Sequence, residues 1–253
     1  MTDNPLIKSW QAGVPTFGAW LTLPGSSHAE IIARQGVDYV CIDYQHGLVD
    51  HASAVPLFQA IERGGSVPVA RVNWNEPNRI MQVLDAGARG VVVPMVNDAA
   101  EAASAARAFR FQPDGDRSYG PVRARDVLGS VDLDVLGDQA CIVMIETALA
   151  VRNVREIAAT PGVHALYIGP SDLSLALGLH PSHMPRDPSF VAAVAEIVAA
   201  ARDNGLAVGI QCADGTVAAT YAADGFDMIT IGSDGPLLAA AVTANLAKAK
   251  ASV

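Results

Sequence analysis

The sequence predicts a closed (β/α)8 barrel. Three observations carry that reading: eight short apolar runs recur along 253 residues, Ala-rich helical stretches separate them, and the runs are continuous rather than alternating. Continuous, β-branched runs suit strands covered on both faces. A doubly wound open sheet would want a Gly-rich first turn, and the turn at 23–28 (LPGSSH) lacks the GxGxxG spacing. Barrels of this length fold as one unit, so residues 1–253 are expected to form a single domain.

Residues 17–22 (FGAWLT) make the first strand. The helix after it covers 26–36, with Ser26 or Ser27 as cap and Gly36 as stop. Strands follow at 38–43 (DYVCID), 67–72 (VPVARV) and 90–93 (GVVV). A helix over 76–88, starting near Pro77, joins the last two, and another occupies 97–109. The remaining strands are 141–145 (CIVMI), 165–168 (ALYI), 206–210 (LAVGI) and 227–231 (DMITI). The polar insertion 112–130 is long enough to read as a functional or disordered loop. A final helix, about 235–250, carries Lys248 and Lys250 at its C-terminal end, where the helix dipole favours them.

Composition excludes several classes. At 51% hydrophobic and 17% charged the chain is not intrinsically disordered. A net charge of −9 argues against a nucleic-acid partner or an anionic membrane surface. Cys41, Cys141 and Cys212 lie in apolar runs, are odd in number and widely spaced, and read as buried thiols in a reducing, cytoplasmic setting. No uninterrupted apolar run nears 18 residues, and the N-terminal segment has Asp3 and no apolar stretch, so neither a membrane span nor a signal peptide is expected.

Barrel chemistry sits at the C-terminal strand ends. There the chain has Asp43, Gln45 and His46 after the second strand, Arg71 on the third and Glu146 after the fifth. Asp172 follows the sixth and Asp234 the eighth. Glu146 and Asp172 follow adjacent strands, and two converging carboxylates repel unless a cation or a shared proton lies between them. Two protein oxygens plus water suit Mg²⁺ or Mn²⁺ and leave positions for a chelating substrate. The alternative is that Glu146 caps a helix at 147–154 and Asp172 one at 173–178. His46 reads as a general base oriented by Asp43, or as a loop histidine bonded to backbone. Arg71 reads as the holder of an anionic oxygen such as an enolate, or as an ion-pair partner of Glu146 or Asp172. Gly169, Pro170 and Ser171 open a helix whose N–H groups suit a small carboxylate. Trp20 or Trp74 would wall the pocket or pack the barrel rim, and Arg117, Arg123 and Arg125 concentrate charge in the insertion, either to assist an acidic substrate or as surface charges on a mobile loop. His28, His51, His164, His180 and His183 have no comparable neighbourhood.

Five stretches carry a resemblance: 18–47, 68–96, the IET around Glu146, YIGPSDLSLALG at 167–178 and ITIGSDGPLL at 229–238. Through them the chain resembles the HpcH/HpaI aldolases. These are metal-dependent class II pyruvate aldolases acting on 4-hydroxy-2-oxo acids, including the 4-hydroxy-2-oxo-heptane-1,7-dioate and 2-keto-3-deoxy-sugar-acid types. The resemblance implies a barrel of the phosphoenolpyruvate/pyruvate-domain type, with Glu146 and Asp172 holding Mg²⁺, Mn²⁺ or Co²⁺ and a 2-oxo acid chelating that ion. It gives Arg71 the enolate oxygen and the backbone at Gly169, Pro170, Ser171 and Asp172 the substrate carboxylate. His46, supported by Asp43, promotes proton removal from the aldol hydroxyl through a metal-bound water. The implied donor is pyruvate or hydroxypyruvate and the acceptor an aldehyde. The implied assembly is a hexamer, a trimer of dimers exchanging the C-terminal helix. Two departures stand out: Gln45 where the family usually has glutamate, and Met144 where it commonly has glutamine. The rival readings are an acyl-CoA lyase of the malyl-CoA or citramalyl-CoA type, using the Arg117–Arg125 loop for phosphates, and a non-catalytic 2-oxo-acid-binding barrel.

Overall fold

A computed structural model describes residues 2–181 and 186–251. In chain order its elements are α1 (Pro5–Gln11), β1 (Thr16–Leu21), α2 (Ser26–Ala33), β2 (Tyr39–Asp43), α3 (Ala54–Gly64), β3 (Val67–Arg71), α4 (Pro77–Asp85), β4 (Gly90–Val93) and α5 (Ala99–Arg107). Then come α6 (Ala124–Leu128), α7 (Leu133–Gly137), β5 (Ala140–Ile145), α8 (Ala148–Arg152), α9 (Val154–Ala158), β6 (Ala165–Ile168) and α10 (Pro170–Ala176). The last are α11 (Pro188–Asp203), β7 (Ala207–Gln211), α12 (Gly215–Ala223), β8 (Met228–Ser233) and α13 (Asp234–Lys250). The strands close into a barrel in sequential order, with β1 pairing β8, and every pair is parallel. This is the predicted (β/α)8 architecture, with strand ends within about two residues of those read from the sequence.

Alternation hidden in the apolar runs decides what faces where. Val40 and Ile42 of β2 pack in the layer beneath the helices, whereas Tyr39 and Cys41 join the cluster inside the barrel. In β5, Cys141, Val143 and Ile145 pack outward while Ala140, Ile142 and Met144 pack inward. In β6, Leu166 and Ile168 go out while Ala165 and Tyr167 go in. Because side chains alternate with period two, the next inward positions along these strands are Asp43, Glu146 and Gly169. Arg71 follows Val67 and Val69 on β3 in the same way. The polar mouth is thus the continuation of the inward-facing rows past their apolar layers.

The opposite end is plugged by α1, an element the sequence reading did not assign. Asn4 Oδ1 accepts from the N–H groups of Leu6 and Ile7, and its amide nitrogen donates to Arg89 O and Gln139 Oε1. Leu6, Ile7 and Trp10 then pack into the interior cluster. Each such side chain taken from water contributes roughly 1.5–3 kcal/mol. At α2 the cap is Gly25 without a side-chain bond, not Ser26 or Ser27, while Gly36 at φ +86° ends the segment as expected. Cys41, Cys141 and Cys212 are buried and unpaired.

The insertion is not a loose loop. Arg117 is fully buried, donates to Asp85 Oδ1 at 2.6 Å and to Leu136 O at 2.9 Å, and stacks on Phe111. Arg123 pairs with Glu62 and donates to Ala86 O. Both arginines therefore fasten the insertion to the ends of α3 and α4. At the C-terminus, Leu237, Leu238, Val242 and Leu246 of α13 are exposed. No helix among the described residues is long and apolar enough to cross a membrane.

Candidate active site

A cavity of about 190 Å³ opens at the C-terminal mouth. It is lined by Trp20, Asp43, His46, Arg71, Glu146, Gly169, Pro170, Ser171 and Asp172, nine of the positions named from the sequence. Met144, Tyr167, Gln211, Thr22 and Ser233 complete the wall. Gln211 ends the inward row of β7 after Ala207 and Gly209, and that parity is the signal that finds it. Ser233 is off the inward row of Met228 and Thr230 and reaches the mouth where the β1–β8 register shifts beside Gly232 at φ +139°, which spacing along the chain does not reveal.

Neither carboxylate acts as a helix cap. Thr147 caps α8 through its hydroxyl, and Gly169 stands before α10 with no side-chain bond. Glu146 Oε1 instead accepts from Met95 N–H at 2.8 Å, while Oε2 is buried without a hydrogen-bond partner. Met95 has φ +58°, an unfavourable conformation for its side chain, and holds that N–H toward the carboxylate. Burial pushes Glu146 up to about 7; the Met95 N–H opposes this, the Asp172 charge adds to it, and Arg71 lowers it. A Cβ on residue 169 would stand 2.3 Å from Glu146 Oε2, so glycine keeps that oxygen clear. Among the described residues no cluster of three or more His, Cys, Asp or Glu could hold a metal. The donor set is therefore two carboxylates, one with a buried lone oxygen, which fits a hard divalent cation completing its shell from water and substrate.

Arg71 is an ion-pair partner, but of Asp43 rather than Glu146 or Asp172. Nε donates to Oδ1 at 2.9 Å and Nη2 to Oδ2 at 2.6 Å, a two-point fork between neighbouring strands. Burial pushes Asp43 up, yet the Arg71 guanidinium and the His46 and Gln45 N–H groups outweigh it and hold the carboxyl below its usual value. The expected orientation of the His46 ring by Asp43 is not what the geometry shows. The carboxylate takes the backbone N–H groups of Gln45 and His46, at 3.0 and 3.3 Å, and so shapes the turn. The His46 ring is exposed at the cavity with no hydrogen-bond partner among the described residues. The Trp20 ring has the Arg71 guanidinium 5.3 Å from its centroid and stacks with Tyr167 at 5.6 Å.

Other positions fall elsewhere. Trp74 is 52% exposed and outside the cavity. Asp234 does not line it either: the carboxylate accepts from Thr22 N–H and hydroxyl and from Leu23 N–H, tying α13 to the loop after β1. His28, expected to lack such a neighbourhood, is 3.2 Å from Asp234. His164 Nδ1 accepts from Cys141 N–H, far from the mouth. His183 lies outside the described residues. The Arg117–Arg125 segment offers little to nucleotide phosphates, because Arg117 is buried and Arg123 is paired.

A parallel barrel with a polar C-terminal mouth is the architecture of barrel enzymes. Residues 16–241 match the HpcH/HpaI aldolase/citrate lyase family, and the chain belongs to that family. It is 40% identical over 249 residues to the hydroxypyruvate/pyruvate aldolase of Rhizorhabdus wittichii, covering 98% of this chain and 99% of that protein. The 4-hydroxy-2-oxo-heptane-1,7-dioate aldolase of Escherichia coli is 36% identical, over 97% of this chain and 95% of its own. The crystal structure of a family member from Burkholderia cenocepacia J2315 superposes with a TM-score of 0.91 at 35% identity, covering 98% of this chain and 99% of that one.

Proposed function

We propose that the protein is a divalent-metal-dependent aldolase that cleaves or forms 4-hydroxy-2-oxo acids from pyruvate, or hydroxypyruvate, and an aldehyde. The observation that carries the reading is the lone buried oxygen of Glu146, kept clear by Gly169 and set beside Asp172 in a cavity that also holds Arg71. Glu146 and Asp172 would hold Mg²⁺, Mn²⁺ or Co²⁺, which when bound supplies Lewis-acid polarisation of the 2-oxo group. The names of the Rhizorhabdus and Escherichia relatives support the substrate class.

This chain's residues divide the remaining work. Asp43 occupies Nε and Nη2 of Arg71, which leaves Nη1 to donate to the oxygen where enolate charge develops. The first-turn N–H groups of Ser171 and Asp172 have no intrahelical acceptor and receive the substrate carboxylate; Pro170 has no N–H to offer. His46 takes the proton from the C4 hydroxyl, the C3–C4 bond breaks, its electron pair enters the enolate, and the aldehyde departs. Protonation of C3 then gives the 2-oxo acid. Asp43 is a positioning residue for both Arg71 and the His46 turn.

The exposed apolar side chains of α13 support a homo-oligomer in which this helix docks on another copy, a hexamer in the arrangement considered above. Three unpaired buried thiols suit a reducing, cytoplasmic setting.

The test is exchange of the pyruvate methyl protons in D₂O by proton NMR, with EDTA-stripped protein and then with Mg²⁺, Mn²⁺ or Co²⁺. Metal-dependent exchange that disappears in Glu146→Gln is expected. Metal-independent turnover of 4-hydroxy-2-oxo acids would overturn the reading.

A further inference from the structure

The barrel interior carries a polar column beneath the cavity. The Tyr39 hydroxyl lies 2.9 Å from Thr230 Oγ1, and Thr230 Oγ1 lies 2.6 Å from the Tyr167 hydroxyl. Tyr167 reaches Gln211 Oε1 at 3.2 Å, and Gln211 Nε2 faces Ser233 Oγ at 3.5 Å. The surrounding strands make room for the two rings: a Cβ on Gly18 would stand 2.3 Å from the Tyr39 ring, and one on Gly209 2.4 Å from that of Tyr167. Tyr39, Tyr167 and Thr230 are fully buried, so each hydroxyl hydrogen needs an acceptor.

Along the bonds of 3.5 Å or less, donation that runs from Tyr39 toward the mouth meets that need. Thr230 Oγ1, at 2.9 Å, is the partner of the Tyr39 hydroxyl within 3.5 Å among the described residues, so Tyr39 donates to it. Thr230 then donates to Tyr167, and Tyr167 donates to the Gln211 carbonyl oxygen. The reverse direction strands the Tyr39 hydrogen, at a cost of about 1–3 kcal/mol. The column thereby sets the Gln211 amide: Oε1 is taken from below, and the Nε2 hydrogens face the cavity. Their nearest acceptor, Ser233 Oγ, is at the long end of bonding distance. Ser233 has no other side-chain partner among the described residues and keeps its own hydrogen to give.

We infer that Gln211 and Ser233 are specificity-determining residues that present hydrogen-bond donors to an acceptor oxygen on the substrate's carbon chain, an ether or hydroxyl oxygen where an alkyl group would leave them unsatisfied. The inference rests on the aldolase reading above. That oxygen has two possible sources, C3 of the 2-oxo acid donor or the chain of the aldehyde.

Two isosteric pairs separate the sources on the metal-loaded enzyme. With pyruvate as donor, kcat/KM is compared for methoxyacetaldehyde and butanal, which differ by one ether oxygen in place of a CH₂. With one common aldehyde, it is compared for hydroxypyruvate and 2-oxobutanoate. Intrinsic reactivity cancels when each ratio is divided by the same ratio in Gln211→Leu. The oxygen-to-carbon ratio is expected to fall about tenfold in Gln211→Leu in at least one pair, which names the source. Ser233→Ala is expected to lower the same ratio by less. An unchanged ratio in both pairs, in both variants, overturns the inference while leaving the aldolase intact. A wild-type enzyme that turns over none of these substrates with Mg²⁺, Mn²⁺ or Co²⁺ overturns the aldolase reading and this inference with it.

Discussion

Glu146→Gln should make the metal-free protein less sensitive to pH. The folded carboxyl titrates near 7 against an ordinary value of 4.5, chiefly because it is buried. A carboxyl raised on folding contributes stability that is fully present below pH 4.5 and is lost as pH rises through 7, because the native state holds its proton more tightly. A shift of that size at 1.36 kcal/mol per unit amounts to about 3 kcal/mol lost by pH 8. Glutamine has no such proton to lose. It keeps the acceptor for Met95 N–H but puts an amide nitrogen where Oε2 lacked a partner, a pH-independent cost of about 1–3 kcal/mol. The wild type should therefore be the more stable at pH 5, and the gap should close or reverse by pH 8. Urea unfolding in EDTA at pH 5, 6, 7 and 8 measures both slopes. Saturating Mn²⁺ should flatten the wild-type curve and leave the variant unaffected. Parallel curves for the two proteins in EDTA would refute the argument.

Three further substitutions probe the mouth. Arg71→Lys cannot reproduce the fork to Asp43 and still donate to substrate, so kcat/KM should fall by about 10²-fold or more with Mn²⁺ affinity little changed; a loss under tenfold would remove Arg71 from charge stabilisation. His46→Ala should slow aldol cleavage by about 10²–10⁴-fold at nearly constant metal affinity, and wild-type rates would place the base elsewhere. Gly169→Ala puts a methyl group 2.3 Å from Glu146 Oε2, and calorimetric titration should show Mn²⁺ binding weakened by about tenfold or more in a protein whose circular dichroism is unchanged. Unaltered affinity would mean that the lone oxygen is not part of the metal site.

The barrel was legible because each strand is a self-contained apolar run, and Asp43, Arg71, Glu146 and Asp172 were legible because charge at the end of such a run has no packing reason to be there. What stayed hidden depends on pairing across the fold. Arg71 joins Asp43 rather than Glu146 or Asp172 because parallel register sets those two residues side by side, and spacing along the chain does not reveal register. The insertion arginines looked mobile in a polar segment, yet Arg117 finds Asp85 on a helix that precedes it. The α1 plug is one short helix whose three apolar residues are buried only because the open end of a barrel lies above them. The polar column is the extreme case: Tyr39 and Thr230 are 191 positions apart, and each taken alone is an ordinary strand residue.

The position of Trp20 gives the mouth an optical reporter of its own. The chain has three tryptophans; Trp10 bonds Thr16 at the plugged end and Trp74 is exposed to solvent. Trp20 alone of the three contacts both the Arg71 cation and the Tyr167 ring, so its emission depends on the charge balance that a bound divalent ion or anion alters. A Trp10→Phe, Trp74→Phe protein would emit from the mouth only. Its fluorescence would follow ion and 2-oxo acid occupancy in real time, without a label and before any carbon–carbon bond is broken.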